Sequence, residues 1–461
     1  MMREPAFSLL KPPAPMALKG KRVLVLGLGD TGLSVATWVE SEGGIVRAAD
    51  TRAAPPRKKD FAGELHTGKF KASLLKDVDL VCISPGLALQ EEVIQAAVAK
   101  NIPVAGDIEL FAWTARGKKL AVTGTNGKST VTALTGHLLR TAGVDCEVAG
   151  NIAPPALQAL LKRKSPPAAW VLELSSYQLE TTWSLAPDAA AMLNLSEDHL
   201  DRYAGLAAYA EAKARVFQGA GVQVLNRCDS ASMALALPGR TQLTFGLDAP
   251  EMPEDFGLAD GYLVRGKERI LAVADLPLAG AHNASNALAA CALAVAAGAP
   301  LAALAKGLQS FRGLPHRMQR VAVRGGVEWL DDSKGTNVGA TVAALNGLAP
   351  ALGGPSRKVV LILGGEGKGQ NFAPLAPAIR GRARHVLIIG RDAATIEKAI
   401  ASSGVPAERI ASMEEAVKRA AQIAVAGEAV LLSPACASFD MFRDYRHRGE
   451  AFAKAVGELK K

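Results

Sequence analysis

The sequence predicts an α/β protein that is divided into three domains. Short apolar strands alternate with amphipathic helices along most of the chain, which is the pattern of mostly parallel sheets with helical crossovers. Two glycine-rich turns, Gly27–Gly32 and Gly124–Gly127, each stand between a strand and a helix. The length of 461 residues corresponds to about three domains of ordinary size.

The composition is that of a globular protein, and its positive charge suits a small anionic substrate at least as well as nucleic acid. Lys and Arg number 53 against 44 Asp and Glu, and the resulting net charge of +9 is scattered along the chain. Aromatic residues make up only 5%, which is too few for a base-stacking surface, so we expect no nucleic-acid partner. No apolar run is long enough to span a bilayer, so we expect no membrane insertion. We also expect a monomer.

The cysteines and the first segment favour a cytoplasmic protein. The five cysteines lie far apart without a C-x-x-C pair: Cys82, Cys146, Cys228, Cys291 and Cys436. Most stand in apolar runs, which favours reduced core thiols over a disulfide scaffold. Residues 1–20 lack the continuous apolar segment of a signal peptide and are predicted to be a flexible, proline-rich leader.

The first domain is predicted over residues 21–108, and it begins with a strand, a glycine loop and a helix. Gly27, Gly29 and Gly32 fit the pattern G-x-G-x-x-G, and Asp50 ends the next strand. This arrangement is typical of Rossmann-like domains, in which a diphosphate lies at the helix N-terminus and a carboxylate holds a ribose. The motif alone is equally typical of NAD sites, but nothing later in the chain indicates hydride chemistry.

A further strand of this domain, over residues 78–83, ends in Ser84-Pro85-Gly86. Ligands of open α/β sheets gather at the carboxyl ends of strands, so Ser84 and Gly86 are predicted to line the same crevice. A plain Pro-Gly turn explains these residues equally well.

The central domain, predicted over residues 109–313, is organised around the stretch AVTGTNGKSTVTALTGHLLRTAG. Gly124 and Gly127 allow backbone N–H groups to face an anion, Lys128 adds a positive charge, and the hydroxyl of Ser129 or Thr130 can reach Mg²⁺. Val122 replaces the first glycine of the full G-x-x-x-x-G-K-[ST] pattern. The flanking strand and helix favour a P-loop-like nucleotide-phosphate site over an ordinary glycine-rich turn.

Polar residues elsewhere in the central domain allow alternative interpretations. Glu173 ends a buried strand and is predicted to hold Mg²⁺ together with Ser129, although a capping or buried-pair role is the alternative. His199 follows the strand predicted over 190–195 and, taken alone, is more typical of a structural histidine. Lys213 lies in a helix predicted over 206–217, and its spacing indicates a surface lysine.

Asn283 and Asn286 open an alanine-rich helix about one turn apart. Helix capping explains one of them, and a polar contact to a base or a phosphate would explain the other. The pattern does not decide between these roles.

The C-terminal domain, predicted over residues 314–461 after a linker at Phe311–Arg317, is again Rossmann-like. Its strands are predicted over 327–330, 358–363, 385–389 and 429–432. Each ends in polar or charged residues, which predicts a binding face along one edge of the sheet.

With these segments assembled, the chain resembles the Mur ligases, ATP-dependent amide-forming enzymes of peptidoglycan synthesis. The motifs that carry the resemblance are GLGDTGLS with DTR, GTNGKSTVT, GNI, LELSSYQLET, EDHLDRY, GLPHR, DDSKGTNVGA, GGEGKG and SPACASFD, between Gly27 and Tyr445. GTNGKST is shared with sibling ligases and with folylpolyglutamate synthetases, whereas ELSSYQLE and SPACAS are narrower. They resemble the branch of the family that adds D-glutamate to UDP-N-acetylmuramoyl-L-alanine.

The resemblance implies roles for individual residues at two nucleotide sites. The residues implied for the UDP-substrate are Gly29, Asp30, Thr31, Gly32, Asp50, Thr51, Ser84, Gly86, Asn151 and His199. The residues implied for ATP are Gly124, Thr125, Asn126, Gly127, Lys128, Ser129, Thr130, Asn283, Asn286, Arg317, Asp332 and Lys334.

It also implies the metal, amino-acid and catalytic groups. Ligands for Mg²⁺ would be Ser129, Glu173, His199 and Lys213, the last as a carbamate, because an ammonium would repel the metal. D-glutamate would be held by Thr336, Lys368, Ser438 and Tyr445. The implied catalytic residues are Lys128, Glu173, His199 and Lys213.

Two residues depart from the family pattern: Glu366 stands where Asp is more usual before Gly-Lys, and Asp331 replaces an Asn. The alternatives to D-glutamate addition are a sibling ligase or a folylpolyglutamate synthetase-like ligase with another amino acid, a nicotinamide dehydrogenase, and a non-catalytic nucleotide switch.

Overall fold

Three β-sheets with helices between their strands make up the fold. The computed structural model describes residues 10–199, 202–278, 280–348 and 358–459. Across these ranges the strand orders are β3-β2-β1-β4-β5, then β14-β13-β12-β11-β10-β9-β6-β8-β7, then β15-β16-β20-β17-β18-β19, numbered along the chain. In the same ranges, none of the helices combines the length and the apolar character that crossing a membrane requires.

The first sheet is parallel in the pairings β1–β2, β1–β4, β2–β3 and β4–β5. Its strands are β1 (Arg22–Leu26), β2 (Ile45–Asp50), β3 (Glu64–Thr67), β4 (Leu80–Ile83) and β5 (Val104–Ala105). The helices of this part are α1 (Asp30–Ser41), α2 (Glu92–Ala99) and α3 (Asp107–Thr114). Strands β1 and β4 are almost continuously apolar and buried, as expected for a parallel sheet that is covered on both faces.

The second sheet is parallel around its centre and contains an antiparallel pair, β12–β13, near one end. Its strands are β6 (Lys118–Thr123), β7 (Cys146–Gly150), β8 (Ala169–Glu173), β9 (Ala189–Met192), β10 (Val222–Asn226), β11 (Gln242–Phe245), β12 (Phe256–Ala259), β13 (Tyr262–Arg265) and β14 (Glu268–Ala272). The helices are α4 (Lys128–Thr141), α5 (Ala156–Lys162), α6 (Ser176–Leu179), α7 (Leu206–Ala214), α8 (Ser230–Met233), α9 (Ala281–Ala296) and α10 (Leu301–Ser310).

The third sheet carries one antiparallel edge strand, β15, on an otherwise parallel sheet. Its strands are β15 (Gln319–Arg324), β16 (Val327–Asp331), β17 (Val359–Gly364), β18 (Ala383–Ile389), β19 (Ala407–Arg409) and β20 (Ala429–Leu432). The helices are α11 (Val338–Gly347), α12 (Leu375–Ile379), α13 (Ala393–Ile400), α14 (Met413–Ile423) and α15 (Tyr445–Glu458). Two apolar clusters, one centred on Leu361 and the other on Trp329, cover this sheet.

The chain divides into two compact units. The first holds residues up to Leu195 with 204–271 and 288–308, and the second holds 196–203, 272–287 and 309–461. The first two sheets belong to the first unit and the third sheet to the second. The predicted domain boundaries after residues 20, 108 and 313 remain predictions.

The predicted α/β class and its mostly parallel sheets are confirmed, with shorter elements in places. The strand predicted over 190–195 ends at Met192, so His199 lies several residues beyond it. Strands β3, β7, β10 to β15 and β19 were not predicted. Residues 1–9 of the predicted flexible leader lie outside the described residues, and in the remainder Leu10 and Leu18 are buried. The prediction of core thiols holds for the buried Cys82, Cys146, Cys291 and Cys436, whereas Cys228 is exposed.

Candidate active site

The first glycine turn packs directly against strand β1. A Cβ on Gly32 would overlap the carbonyl oxygen of Gly27, so only glycine lets helix α1 begin this close to the strand. The hydroxyl of Ser84 donates to the same carbonyl over 3.1 Å. The structure therefore brings Ser84 to the predicted diphosphate turn, while Gly86 is exposed in the turn that follows.

Asp50 joins the end of β2 to this turn. Its buried carboxylate accepts the N–H of Leu28 at 2.7 Å and two bonds from the guanidinium of Arg52 at 2.8 and 2.7 Å. Burial by itself raises the pKa of Asp50, but the hydrogen bonds from Arg52 and Leu28 outweigh it and hold the pKa below its usual value. The carboxylate is therefore ionised at neutral pH, and Arg52 is a neighbour that the motif did not reveal.

The other predicted UDP-substrate residues of this turn are accessible. Asp30 opens helix α1, and its Oδ1 accepts a bond from Arg57 Nε at 2.6 Å. Thr31 is half-buried and Thr51 is exposed. The turn thus presents a helix N-terminus flanked by Arg52 and Arg57, a combination suited to an anionic ligand.

The second glycine turn has the form of a phosphate-binding loop. Gly127 has a left-handed φ of 83° and caps α4, which starts at Lys128, one residue before the predicted start. The Lys128 ammonium folds over the loop and donates to the carbonyls of Gly124 and Thr125, each at 2.9 Å. Ser129 and Thr130 are buried in the first helical turn. The loop geometry that the sequence predicted is present.

Asn194 braces this loop from the end of β9. Its Oδ1 accepts the N–H of Asn126 at 2.8 Å, its Nδ2 donates to the Asn126 carbonyl at 3.1 Å, and its backbone carbonyl accepts the N–H of Thr125 at 2.9 Å. The Asn194 side-chain amide thus bonds both backbone groups of Asn126, as a neighbouring backbone amide would. No role was predicted for Asn194, although its place just after a strand beside β6 was the available signal.

Glu173 and Asn151 form a second pair, beside the loop in strand order. Glu173 ends β8 next to β6, and its buried Oε1 accepts a bond from Asn151 Nδ2 at 2.8 Å. The backbone N–H of Asn151 also donates to the Glu173 carbonyl at 2.8 Å. These two predicted residues therefore lie together, at the carboxyl end of the sheet that carries the phosphate loop.

Lys213 is buried, so its interpretation as a surface lysine is wrong. The relative solvent exposure of Lys213 is 1%. Nζ lies 3.3 Å from Thr123 Oγ1 and 4.7 Å from the centroid of the Tyr209 ring. Thr123 is the last residue of β6, so Lys213 reaches the strand that enters the phosphate loop.

The donor set of this region fits Mg²⁺ bound together with phosphate. Within the described ranges, no three or more His, Cys, Asp or Glu side chains gather in a way that could hold a metal by themselves. Mg²⁺ usually takes one or two protein carboxylates and completes its shell with waters and substrate phosphates. The Ser129 hydroxyl and the Glu173 carboxylate, both in the first unit, offer oxygen ligands of the kind that this ion prefers.

In the second unit, His199 is held by its neighbour Asp198. His199 has a left-handed φ of 55°, its N–H donates to Asp198 Oδ1 at 2.9 Å, and its Nε2 lies 3.8 Å from Oδ2. Asp198 Oδ2 also accepts a bond from Asn337 Nδ2 at 3.1 Å. Asn337 lies in the quoted motif DDSKGTNVGA but was given no role. Leu200 and Asp201 of EDHLDRY lie outside the described residues.

Asp332, a predicted ATP residue in the second unit, accepts two hydrogen bonds through its carboxylate. Its Oδ2 accepts a bond from Ser433 Oγ at 2.8 Å, and its Oδ1 accepts the N–H of Met318 at 3.3 Å. Burial raises the pKa of Asp332 to about 7, although the Ser433 bond and the charge of Arg317 act in the opposite direction. Arg317 therefore lies within electrostatic reach of Asp332.

Arg317 also influences the start of helix α9. Burial, and next the positive charge of Arg317, lower the pKa of His282 to about 4, so this imidazole is neutral at pH 7. Asn283 and Asn286 follow His282, and their side chains contact each other at 3.4 Å between Nδ2 and Oδ1. Arg317 therefore lies within electrostatic reach of His282, the residue that precedes Asn283.

The strand ends β16, β20, β17 and β18 are neighbours at one edge of the third sheet, as predicted. The residues implied for D-glutamate lie on the segments that follow β16, β17 and β20 or at the start of α15. Lys334 connects them to the ATP residues, because its Nζ lies 5.0 Å from the ring centroid of Tyr445. Ser438 is buried, Thr336 is half-buried, and Lys368 has a left-handed φ of 52°.

Arg448 holds together the segments that follow β16 and β20. Its buried guanidinium donates to Ser333 Oγ at 2.9 Å, to the Ser333 carbonyl at 2.7 Å and to the Cys436 and Ala437 carbonyls at 3.0 and 3.3 Å. Burial lowers the pKa of Arg448 to about 10, which leaves it charged at neutral pH. No motif or spacing in the sequence pointed to Arg448.

Asp331, one of the two residues that depart from the family pattern, contacts His316 of the GLPHR motif. His316 Nδ1 lies 2.7 Å from the buried Asp331 Oδ2. A Cβ on Gly449 of helix α15 would overlap His316 Nδ1 and approach Asp331 Oδ2 to 2.6 Å, so the helix backbone is pressed against the pair. The His316 ring also meets the Tyr445 ring edge-on, with centroids 6.2 Å apart.

Comparison with known proteins gives matches along most of the chain. Three family models match: "Mur ligase MurD-like, N-terminal domain" over residues 21–106, "Mur ligase middle domain" over 122–294 and "Mur ligase, glutamate ligase domain" over 316–436. The UDP-N-acetylmuramoylalanine--D-glutamate ligase of Nitrosospira multiformis is 52% identical, covering 96% of this chain and 97% of the relative. The protein of the same name from Thiobacillus denitrificans is 50% identical, covering 96% and 98%.

Solved structures support the fold. The UDP-N-acetylmuramate-alanine ligase MurC of Thermotoga maritima aligns with a TM-score of 0.63 at 20% identity, covering 95% of this chain and 100% of that one. A pseudomurein peptide ligase type C from Methanothermus fervidus aligns with a TM-score of 0.59 at 18% identity, covering 96% and 100%.

Proposed function

The chain belongs to the Mur ligase family, and we propose that it joins D-glutamate to UDP-N-acetylmuramoyl-L-alanine with the conversion of ATP to ADP and phosphate. The likeness of about 50% identity over nearly the whole length of relatives with this named activity supports the choice of substrates. We place the reaction in the cytoplasm, at the precursor stage of peptidoglycan synthesis.

The observation that carries the proposal is the phosphate loop with Lys128 folded over it and the buried Glu173 at the neighbouring strand end. The reaction transfers the γ-phosphoryl group of ATP to the alanyl carboxylate, and the amine of D-glutamate then displaces phosphate from the acyl phosphate. Two anions must approach each other in the first step. Lys128 offsets their repulsion and stabilises the charge on the transferred phosphoryl group.

Mg²⁺ would be held by Ser129 and Glu173, with His199 and carbamylated Lys213 as the further ligands that the family resemblance implies. When bound, it neutralises phosphate charge. Asn151 orients the Glu173 carboxylate through the 2.8 Å bond to Oε1. Carbamylation of Lys213 would join CO₂ to the neutral Nζ with loss of a proton, which converts a buried cation into an oxygen donor.

The remaining residues are proposed to position the substrates. Gly29, Asp30, Thr31, Gly32 and the Asp50–Thr51 corner would hold the UDP group, with Ser84 and Gly86 beside them. Arg317, Asp332, Lys334, Asn283 and Asn286 would hold ATP, and Thr336, Lys368, Ser438 and Tyr445 would hold D-glutamate. His199 or a neighbouring carboxylate would accept the proton that the attacking amine loses.

Phosphate release from ATP and UDP-N-acetylmuramoyl-L-alanine, measured across a panel of amino acids, tests the proposal. D-glutamate should support turnover, whereas L-glutamate, L-alanine, a diamino acid and D-alanyl-D-alanine should not. Lys128→Ala should abolish turnover, and Lys164→Ala, which changes an exposed lysine after helix α5, should retain it. Turnover with a different amino acid would indicate a sibling ligase, and ATP binding without turnover would indicate a nucleotide switch.

A further inference from the structure

The segments that follow β17, β18 and β20 are joined into one rigid corner. Glu366 and Ala437 exchange two backbone hydrogen bonds of 3.0 and 2.9 Å. The N–H of Arg391 donates to Asp440 Oδ2 at 2.8 Å, and the N–H of Gly367 donates to Asp392 Oδ2 at 2.6 Å. Each of the three segments therefore holds the other two in place.

Arg391 and Glu366 meet at this corner. Arg391 Nη1 lies 2.8 Å from Glu366 Oε1, and the two side chains are 61% and 32% exposed. Glu366 is the residue that is one methylene longer than the Asp usual in the family, and its carboxylate is the group that engages the arginine. Both side chains remain accessible to solvent, so a ligand can reach them.

The corner adjoins two residues proposed to hold D-glutamate. Lys368 follows Glu366 by two residues, and Ser438 follows Ala437 directly. Among the four residues assigned to D-glutamate, Lys368 is the only cation, whereas the substrate carries two carboxylates. An arginine matches a carboxylate through paired N–H donors better than a lysine does.

We propose that Arg391 is a specificity-determining residue that binds one carboxylate of D-glutamate, and that Glu366 occupies Arg391 until the substrate displaces it. The inference rests on the proposed function. The Glu366 side chain ends in the same chemical group as the side chain of the substrate, so the 2.8 Å pair shows a contact that a glutamate carboxylate can make here. Arg391 thereby supplies the second positive charge of the amino-acid site, and Glu366 is its internal competitor.

Steady-state kinetics of Arg391→Gln, Arg391→Lys and Glu366→Gln test the proposal. Arg391→Gln should raise KM for D-glutamate about tenfold or more, the range expected for a lost hydrogen bond to a charged group. KM for ATP and for the UDP-substrate should change less than about twofold, within the small effects of surface changes. Arg391→Lys should restore part of the loss. Glu366→Gln should lower KM for D-glutamate, because the competitor loses its charge.

Arg409→Gln is the matched control. Arg409 pairs with Glu397 at 3.1 Å and is also 61% exposed, but it lies on the edge strand β19 rather than at the corner. This variant should keep the wild-type KM for D-glutamate. An unchanged KM in Arg391→Gln, or a rise in Glu366→Gln similar to that in Arg391→Gln, would overturn the proposal, because the pair would then only brace the loops. Absence of D-glutamate-dependent turnover in the wild-type protein would instead reject the proposed function.

Discussion

Asn337 donates a hydrogen bond from Nδ2 to Asp198 Oδ2 over 3.1 Å, although the two residues lie 139 positions apart. The same side chain accepts the N–H of Ala340 at 2.8 Å through Oδ1 and so caps helix α11. Asp198 in turn accepts the N–H of His199. One amide therefore fixes both the start of a helix and the residue that precedes the proposed metal ligand His199.

Replacement of Asn337 should separate these two roles. Asn337→Ala removes the cap and the bond to Asp198, and should lower the free energy of unfolding by about 2 kcal/mol. Asn337→Ser keeps a capping oxygen but lacks the amide donor, and should cost only about 1 kcal/mol. Urea denaturation at pH 7 measures the difference. Wild-type stability of Asn337→Ser would show that the bond to Asp198 contributes nothing, whereas equal losses in the two variants would show that the cap contributes nothing.

Lys213→Ala should lose ligase activity about a hundredfold, the scale of losing one preorganised electrostatic group. A small carboxylate such as acetate should restore part of the activity, because it can supply the missing oxygen donor in the space left by the side chain. Phosphate release with and without acetate measures the effect. Lys164→Ala should keep wild-type activity with and without acetate. Full activity of Lys213→Ala would contradict the carbamate assignment.

Asp332 should make stability depend on pH. Burial raises its pKa to about 7 in the folded protein, whereas the pKa of an Asp in the unfolded chain is about 3.9. Below the unfolded pKa the Asp332 carboxyl is protonated in both the folded and the unfolded state, so the raised pKa causes no loss of stability. Between the two pKa values the loss of stability grows with pH, because the unfolded chain ionises first and is favoured. The free energy of unfolding of Asp332→Asn should therefore increase relative to wild type over this interval, and a constant difference would refute the assignment.

Arg448 should be costly to replace. Arg448→Met keeps much of the length of the side chain but removes the guanidinium donor from the buried carbonyls of Ser333 and Cys436. The Ala437 carbonyl keeps its bond from the Glu366 N–H. We expect a loss of about 3 kcal/mol in the free energy of unfolding, together with a higher KM for D-glutamate. Lys454→Ala, on the exposed side of the same helix, is the control and should change neither quantity. A wild-type KM in Arg448→Met would show that the loops keep their positions without it.

The sequence predicted those parts of the fold in which local pattern and tertiary role agree. Strand β6, the glycine turn and the apolar side of helix α4 are adjacent in sequence, so the periodicity that buries Val131, Leu134 and Leu138 was visible. Strands β12 and β13 were missed because they are short and only partly buried, with a polar turn between them. The pattern of these strands differs little from that of a loop.

Long-range polar contacts were the other missing part. Asn194 and Arg448 bind backbone groups that are distant in sequence, and Asn337 binds the distant side chain of Asp198. No spacing rule connects such partners. Lys213 shows the same difficulty: its spacing predicted a surface lysine in an alanine-rich helix, yet the residue is buried and contacts Thr123 and Tyr209. Residue types near strand ends could be predicted, but their partners required the three-dimensional arrangement.

Gly449 lies between residues that are proposed to bind two different ligands. Its backbone touches the His316–Asp331 pair, and Tyr445 stands one turn earlier on the same helix. A packed helix shifts as a unit, because close-packed interiors do not absorb small displacements locally. Any shift of Tyr445 as the amino acid docks would therefore push on the imidazole whose chain neighbour, Arg317, is assigned to the nucleotide. Cooperation between the two ligands would then arise from contact in the packing, without any change in charge.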